Sequence, residues 1–157
     1  MNTAVVLVKS ALHNIRVAIV GFGFAHLGAM VDSRLGIARS PSPPRRSGTA
    51  PAGSGFLLRF WATFQFYAHQ IRVISLEPQD TLVTSGPSRF SRIPLYPGGN
   101  VFIFLGATLM LGSPTALIAT LLHLPLGDQF IRREEQQLKR RFGDEWRRYK
   151  AHVRRWL

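Results

Sequence analysis

The chain has 157 residues, 46% of them hydrophobic and 18% charged, which is enough apolar material for a single packed domain or for a membrane protein. Twenty Lys and Arg against eight Asp and Glu leave +12, a balance that seeks phosphate backbones, anionic headgroups or acidic ligands. With no cysteine, disulfides, thiolate metal sites and a cysteine nucleophile are excluded.

Residues 1–33 read as an N-terminal membrane-associated helix. Lys9 and Arg16 mark its basic first half, and VAIVGFGFAHLGAMV follows. That run is short of the roughly 20 residues a span needs unless the segment from Thr3 is counted too. A marginal span with Lys9 reaching back to the interface and an interfacial helix both fit; a signal peptide fits less well, because Arg16 divides the apolar run. Gly21, Gly23 and Gly28 invite a dinucleotide-binding reading, but His26 stands where the third glycine of that fingerprint belongs. A glycine-bearing apolar helix is the better reading.

Residues 34–55, RLGIARSPSPPRRSGTAPAGSG, have no apolar period and read as a flexible linker. Arg34, Arg39, Arg45 and Arg46, with no acid among them, place it on the cytoplasmic side. Residues 56–74 form an aromatic-rich helix carrying Arg59, His69 and Arg72, ended by Glu77-Pro78. A loop over residues 76–94 follows. From Ile93 to Gly127 the chain is uncharged, too long for one perpendicular span but suited to two helices. Gly112-Ser113-Pro114 supplies a helix stop, an N-cap and a tolerated first-turn proline, so the spacing predicts helices at 95–111 and 114–131, an antiparallel hairpin over 95–131.

The last segment, 132–156, winds Ile131, Leu138, Phe142, Tyr149 and Val153 near one line, with ten Lys or Arg and four Asp or Glu in Arg132–Leu157. Such a basic amphipathic helix lies along a membrane surface or docks over a bundle with its cations toward headgroups, on the cytoplasmic side, with a break expected at Gly143-Asp144. The fold class is therefore all-α: a multi-pass helical membrane protein with a C-terminal amphipathic basic helix.

Arg89 and Arg92 sit in a Gly/Pro-bounded loop, where their planar donor forks suit a carboxylate or phosphate. Glu134 and Glu135 suit an ammonium or a ribose. A hairpin returns the chain to the side from which it left, so loop and acid pair would face one another. The plainer alternative is that the two glutamates pair with Arg132, Lys139 or an interface arginine.

LVTSGPSRFSRIPLY, an apolar helix pair and RREEQQLKRRFGDEWRRYKAHVRRWL together resemble the C-terminal half of the isoprenylcysteine carboxyl methyltransferase and phospholipid methyltransferase family, over roughly residues 76–157. Gly86, Pro87 and Arg89 match its first motif, Arg92, Pro94 and Tyr96 its second, and Glu134 with Glu135 its third; Phe142, Gly143 and Tyr149 match its tail, with Trp146 at an aromatic position. Ile93 stands in place of Asn or His, Ser88 in place of Tyr, and Pro97 follows Tyr96.

The resemblance implies a methyltransferase-like membrane domain over 56–157 that uses S-adenosylmethionine. It makes Arg92 and Glu135 the catalytic pair, and Gly86, Pro87, Arg89, Arg92, Pro94, Tyr96, Glu134 and Glu135 the cofactor-binding set. The acceptor is lipid-borne or hydrophobic and enters from the bilayer. No metal and no nucleic acid is implied. A diverged, non-catalytic member of the same family is the second reading.

Overall fold

The computed structural model describes residues 2–39, 44–69, 81–96 and 101–156. Four helices and one short turn make up the described chain, with no strand among the described residues: α1 (Thr3–Leu35), α2 (Pro44–Ala68), a 3-10 turn (Gly86–Arg89), α3 (Phe102–Leu111) and α4 (Pro114–His152). Parts of the expected elements lie outside the described residues: linker positions 40–43, residues 70–74 of the 56–74 helix with Arg72, residues 76–80 of the loop with Glu77-Pro78, and residues 97–100 of the hairpin with Pro97.

Helix α1 begins where the Asn2 side chain accepts from the Ala4 N–H at 3.0 Å and ends where Gly36 takes φ 68°, a left-handed conformation suited to glycine. Its 33 residues are about 50 Å of helix. It contains an 18-residue stretch of mean hydropathy 1.5, the only one among the described helices long and apolar enough to cross a membrane by itself. The all-helical expectation thus holds, whereas the second span expected in the 95–131 hairpin is a shorter apolar helix, α3, of ten residues.

The expected linker is corrected by α2, which starts at Pro44 and runs unbroken through Pro51 and Gly53. The small residues that suggest a linker form a contact surface instead. A Cβ on Gly106 of α3 would lie 2.5 Å from the Ala52 N and 2.6 Å from its Cβ, and one on Gly48 would lie 2.7 Å from the Met110 N, so α2 and α3 touch backbone to backbone. Between α1 and α2, Asn14 donates to Thr63 Oγ1 at 2.7 Å, a buried polar cross-link.

At the α3–α4 turn, Gly112 has φ 62° and the Ser113 hydroxyl accepts from the Ala116 N–H at 3.1 Å. Asp32, fully buried near the end of α1, locks this turn in place: it accepts from the Ser113 hydroxyl at 2.5 Å, the Thr115 hydroxyl at 2.5 Å and the Thr115 N–H at 3.2 Å. A carboxylate against the first turn of α4 also meets the positive end of the helix dipole. Helix α4 does not stop at 131. Ile131 is buried in the core, Arg132 pairs with Asp128 one turn earlier at 2.6 Å, and nothing there breaks the backbone, so the hairpin arm continues into the basic segment as one helix as far as Gly143. At Gly143, with φ 48° and ψ −111°, the backbone leaves the helical region and α4 kinks into two helical parts, where the sequence predicts a break.

This topology separates two basic regions that the sequence reading put on one side. The chain from Arg34 to Arg39 lies at the turn end, where Arg39 donates to the Ala29 carbonyl at 3.3 Å. Glu135 lies 22 positions along α4 from its N-cap, about 33 Å away at the opposite end.

Candidate active site

At that opposite end the chain segment 86–96 and the second half of α4 close on each other. Gly86 opens the 3-10 turn at φ 60°, against the side chain of Gln65 in α2. Pro87 and Ser88 are buried, and the Tyr149 hydroxyl donates to the Ser88 carbonyl at 2.7 Å. The chain beyond α4 then folds back as a strap. The Arg92 N–H donates to the Arg154 carbonyl at 2.9 Å, and the Ser91 hydroxyl to the Arg155 carbonyl at 2.9 Å.

Within this frame Arg92 Nη1 lies 2.9 Å from Glu135 Oε1, both side chains about nine-tenths buried, and the Arg92 guanidinium sits 5.9 Å from the centre of the buried Trp146 ring. The approach is an ion pair by distance; the angles align no hydrogen bond on Arg92 Nη1 or Nε, so buried donor capacity remains on this arginine. Glu135 is also gripped from the strap, by Arg155 Nη2 at 2.5 Å and Nε at 3.2 Å, and Arg155 Nη1 reaches Asp128 Oδ1 at 3.5 Å. Those contacts hold the Arg155 guanidinium above its ordinary pKa, the Glu135 hydrogen bond most of all.

Glu134 differs from its neighbour. It is half-buried and has no hydrogen-bond or ion-pair partner among the described residues; burial first, and then the Glu135 charge, raise its pKa above the ordinary carboxylate value. Tyr96 stands beside it and beside Arg59: burial and the Glu134 charge push the phenol up, and Arg59 pulls it down. Arg59 in turn donates to the Leu95 carbonyl at 2.9 Å. Burial pushes the Tyr149 phenol up to about 12, against the opposing pull of its hydrogen bond to Ser88.

Of the residues expected at the site, Arg92, Tyr96, Glu134 and Glu135 gather in one region, with Gly86, Pro87 and Pro94 shaping the loop that carries them. Arg89 does not join them; it is exposed at the end of the 3-10 turn. Ile93 is 6% exposed and packs in the core. Arg155 was not legible as a partner, because it is one of ten basic residues in its segment and lies beyond the helix, where no period applies.

The family model for phospholipid methyltransferase matches residues 45–145, which takes in α2, the loop, α3 and α4 to just past Gly143, and the chain belongs to that family. A protein of Haemophilus influenzae (strain ATCC 51907 / DSM 11121 / KW20 / Rd), described only as uncharacterized, is 47% identical over 58 residues, 36% of this chain and 92% of that one. No solved structure matches. The match from residue 45 agrees with α2 being part of the folded unit.

Glu134 yields a stability prediction with a definite sign. Its folded pKa lies above the unfolded one, so the fold favours the protonated acid; that stability is whole below about pH 4.5 and is lost as pH rises through the folded value. Glu134→Gln keeps the neutral shape at every pH. Denaturation of the detergent-solubilised protein should show the variant more stable than the parent at pH 8 and equal to it at pH 4. Equal stability at both pH values would mean that Glu134 has a partner in solution.

Proposed function

We propose that this protein is an integral membrane methyltransferase that uses S-adenosylmethionine and acts on a lipid-borne or hydrophobic acceptor. The observation that carries the reading is a pair of groups at one site left unmet among the described residues: Arg92 keeps a buried Nε donor without an acceptor, and Glu134 is a half-buried carboxylate without a donor. The cofactor's amino-acid end has a carboxylate and an ammonium, and its ribose has hydroxyls, so the donor set fits it. Arg92 would hold the carboxylate, Glu134 the ammonium or a ribose hydroxyl, and the Tyr96 phenol a further polar group. The bound cofactor supplies an electrophilic methyl group on a sulfonium. Glu135, already met by two arginines, acts through Arg92 as a positioning residue, and Trp146 fixes the plane of the same guanidinium.

A bilayer setting is supported by the outer surface. Helix α1 leaves Ile19 66% and Leu27 63% exposed, and α4 leaves Leu122 67% exposed, an apolar surface that water does not favour. Arg16 and Asp32 bracket 15 uncharged residues of α1, and the Arg92–Glu135 pair lies toward the Arg16 end, where an aqueous cofactor can meet a membrane-borne acceptor.

Titrating the purified protein in detergent with S-adenosylmethionine tests this. Saturable binding is expected, weakened about tenfold in Glu134→Gln, the loss of one charge-assisted contact. That variant should be at least as stable as the parent near neutral pH, so weaker binding is not misfolding. No saturable binding by the parent would sink the assignment.

We also infer that the C-terminal basic segment faces the cytoplasm, because Arg132–Leu157 carries +6 whereas the turn end carries the four arginines from Arg34 to Arg46. The absence of cysteine makes single-cysteine labelling free of background. In sealed vesicles of known sidedness, Leu35→Cys should react with an impermeant maleimide from the outside and Arg140→Cys only after permeabilisation; the reverse pattern would invert the topology.

A further inference from the structure

Between α1, α3 and α4 lies a groove of about 530 Å³, separate from the Arg92–Glu135 pair. Val20, Phe24, Phe104 and Leu124 give it apolar walls, and His13, Arg16 and His123 are its titratable lining. No acid lines it. Arg16 has no hydrogen-bond or ion-pair partner among the described residues and is exposed. It lies 16 positions before Asp32 on α1, about 24 Å along the axis, close to the thickness of a hydrocarbon core, which sets it near headgroup level. A cation on a membrane helix without a protein counter-charge is expected to serve a ligand.

His13 adds a second donor. An arginine can only donate, so the 3.0 Å contact between Arg59 Nη2 and His13 Nε2 makes Nε2 the acceptor and puts the proton of the neutral ring on Nδ1. Through Arg59 and the Leu95 carbonyl the groove is tied to the loop that carries Tyr96.

We propose that this groove is a binding site for a membrane lipid with an anionic headgroup, its phosphate held by Arg16 with the imidazoles of His13 and His123, and one acyl chain laid along Val20, Phe24 and Phe104. Charge complementarity selects the occupant. A lipid with an amine headgroup would set its ammonium beside Arg16 with no carboxylate to receive it, so the groove is not where an amine is methylated. Its α1 wall, with Arg16 and His13, lies outside the region matched to the family, while Phe104, His123 and Leu124 lie within it; binding there does not depend on cofactor use.

Native mass spectrometry of the full chain released from detergent, with dioleoyl phosphatidylglycerol as probe, tests the proposal. The parent should retain it. Arg16→Gln should retain it about tenfold less well, as loss of one charge-assisted contact. Val20→Trp, which fills the groove from an exposed position, should do the same. Dioleoyl phosphatidylcholine and dioleoylglycerol should be retained weakly, and glycerol phosphate should not compete. Equal retention by Arg16→Gln, by Val20→Trp or of either neutral-headed lipid would overturn the proposal, as would effective competition by glycerol phosphate, which would mark a free-anion site. Cofactor titration of Arg16→Gln should match the parent, so failure here leaves the methyltransferase reading intact, and the reverse also holds.

Discussion

Glu135→Ala should destabilise the protein by about 3–5 kcal/mol, the cost of leaving a buried charge without its partner. Arg92 is the group stranded: its side chain is 9% exposed, its backbone is tied to Arg154, and among the described residues no other carboxylate is paired with it. Arg155 suffers less. It is 26% exposed and already reaches Asp128, so it has water and a second acid to turn to. Two further variants separate charge from shape. Glu135→Gln keeps an acceptor oxygen and should fall between parent and alanine. The double change Arg92→Met with Glu135→Leu removes both charges from the buried site and should be more stable than Glu135→Ala alone. Denaturant titration in detergent measures all three. A loss under about 1 kcal/mol for the alanine variant would mean that water or a bound ion replaces the carboxylate, and Glu135 would no longer be the residue that holds Arg92 in place.

What could be read from the sequence was local chemistry with a fixed geometry. Gly112, Ser113 and Pro114 each have one strong preference at a helix boundary, and the three agree, so the turn between α3 and α4 could be placed without any knowledge of its surroundings. Gly143 was legible as a backbone exception for the same reason. The return of Arg92 to Glu135 followed from hairpin topology. Long-range partners were not legible. Asp32 looks like a lone acid after an apolar run, and only the fold shows that it receives three hydrogen bonds from a turn 81 and 83 positions away. Arg155 is hidden among like-charged neighbours. The two basic ends could be told apart only after α1 and α4 were seen to run the length of the bundle in opposite senses, joined by Asp32 at the turn end.

The segment 44–55 failed for a different reason, and the failure leads to the second large effect. Gly, Ala, Ser and Pro at high density cannot bury enough side chain to order a segment in water, which makes a linker the natural reading. Against another helix the same absence of side chains permits a backbone approach that larger residues forbid. One chemical change, glycine to alanine in a helix, therefore has opposite expected signs at two positions. At Gly53 a Cβ meets nothing within 4 Å, so Gly53→Ala should stabilise by about 0.5–1 kcal/mol through the lower entropy of the unfolded chain. At Gly106 the new carbon would stand 2.5 Å from the Ala52 N and 2.7 Å from its Cα, atoms fixed in α2, so the helices have to part and Gly106→Ala should cost about 1–3 kcal/mol. Gly106→Leu should cost more and separate α2 from α3. Gly48→Ala, with a Cβ 2.7 Å from the Met110 N across the same contact, should behave like Gly106→Ala. A linker would be indifferent at Gly48 and Gly53 alike. If denaturant titration finds both of those changes within 0.3 kcal/mol of the parent, below the ordinary range for such substitutions, α2 does not pack on α3 as described and the fold of this half is wrong.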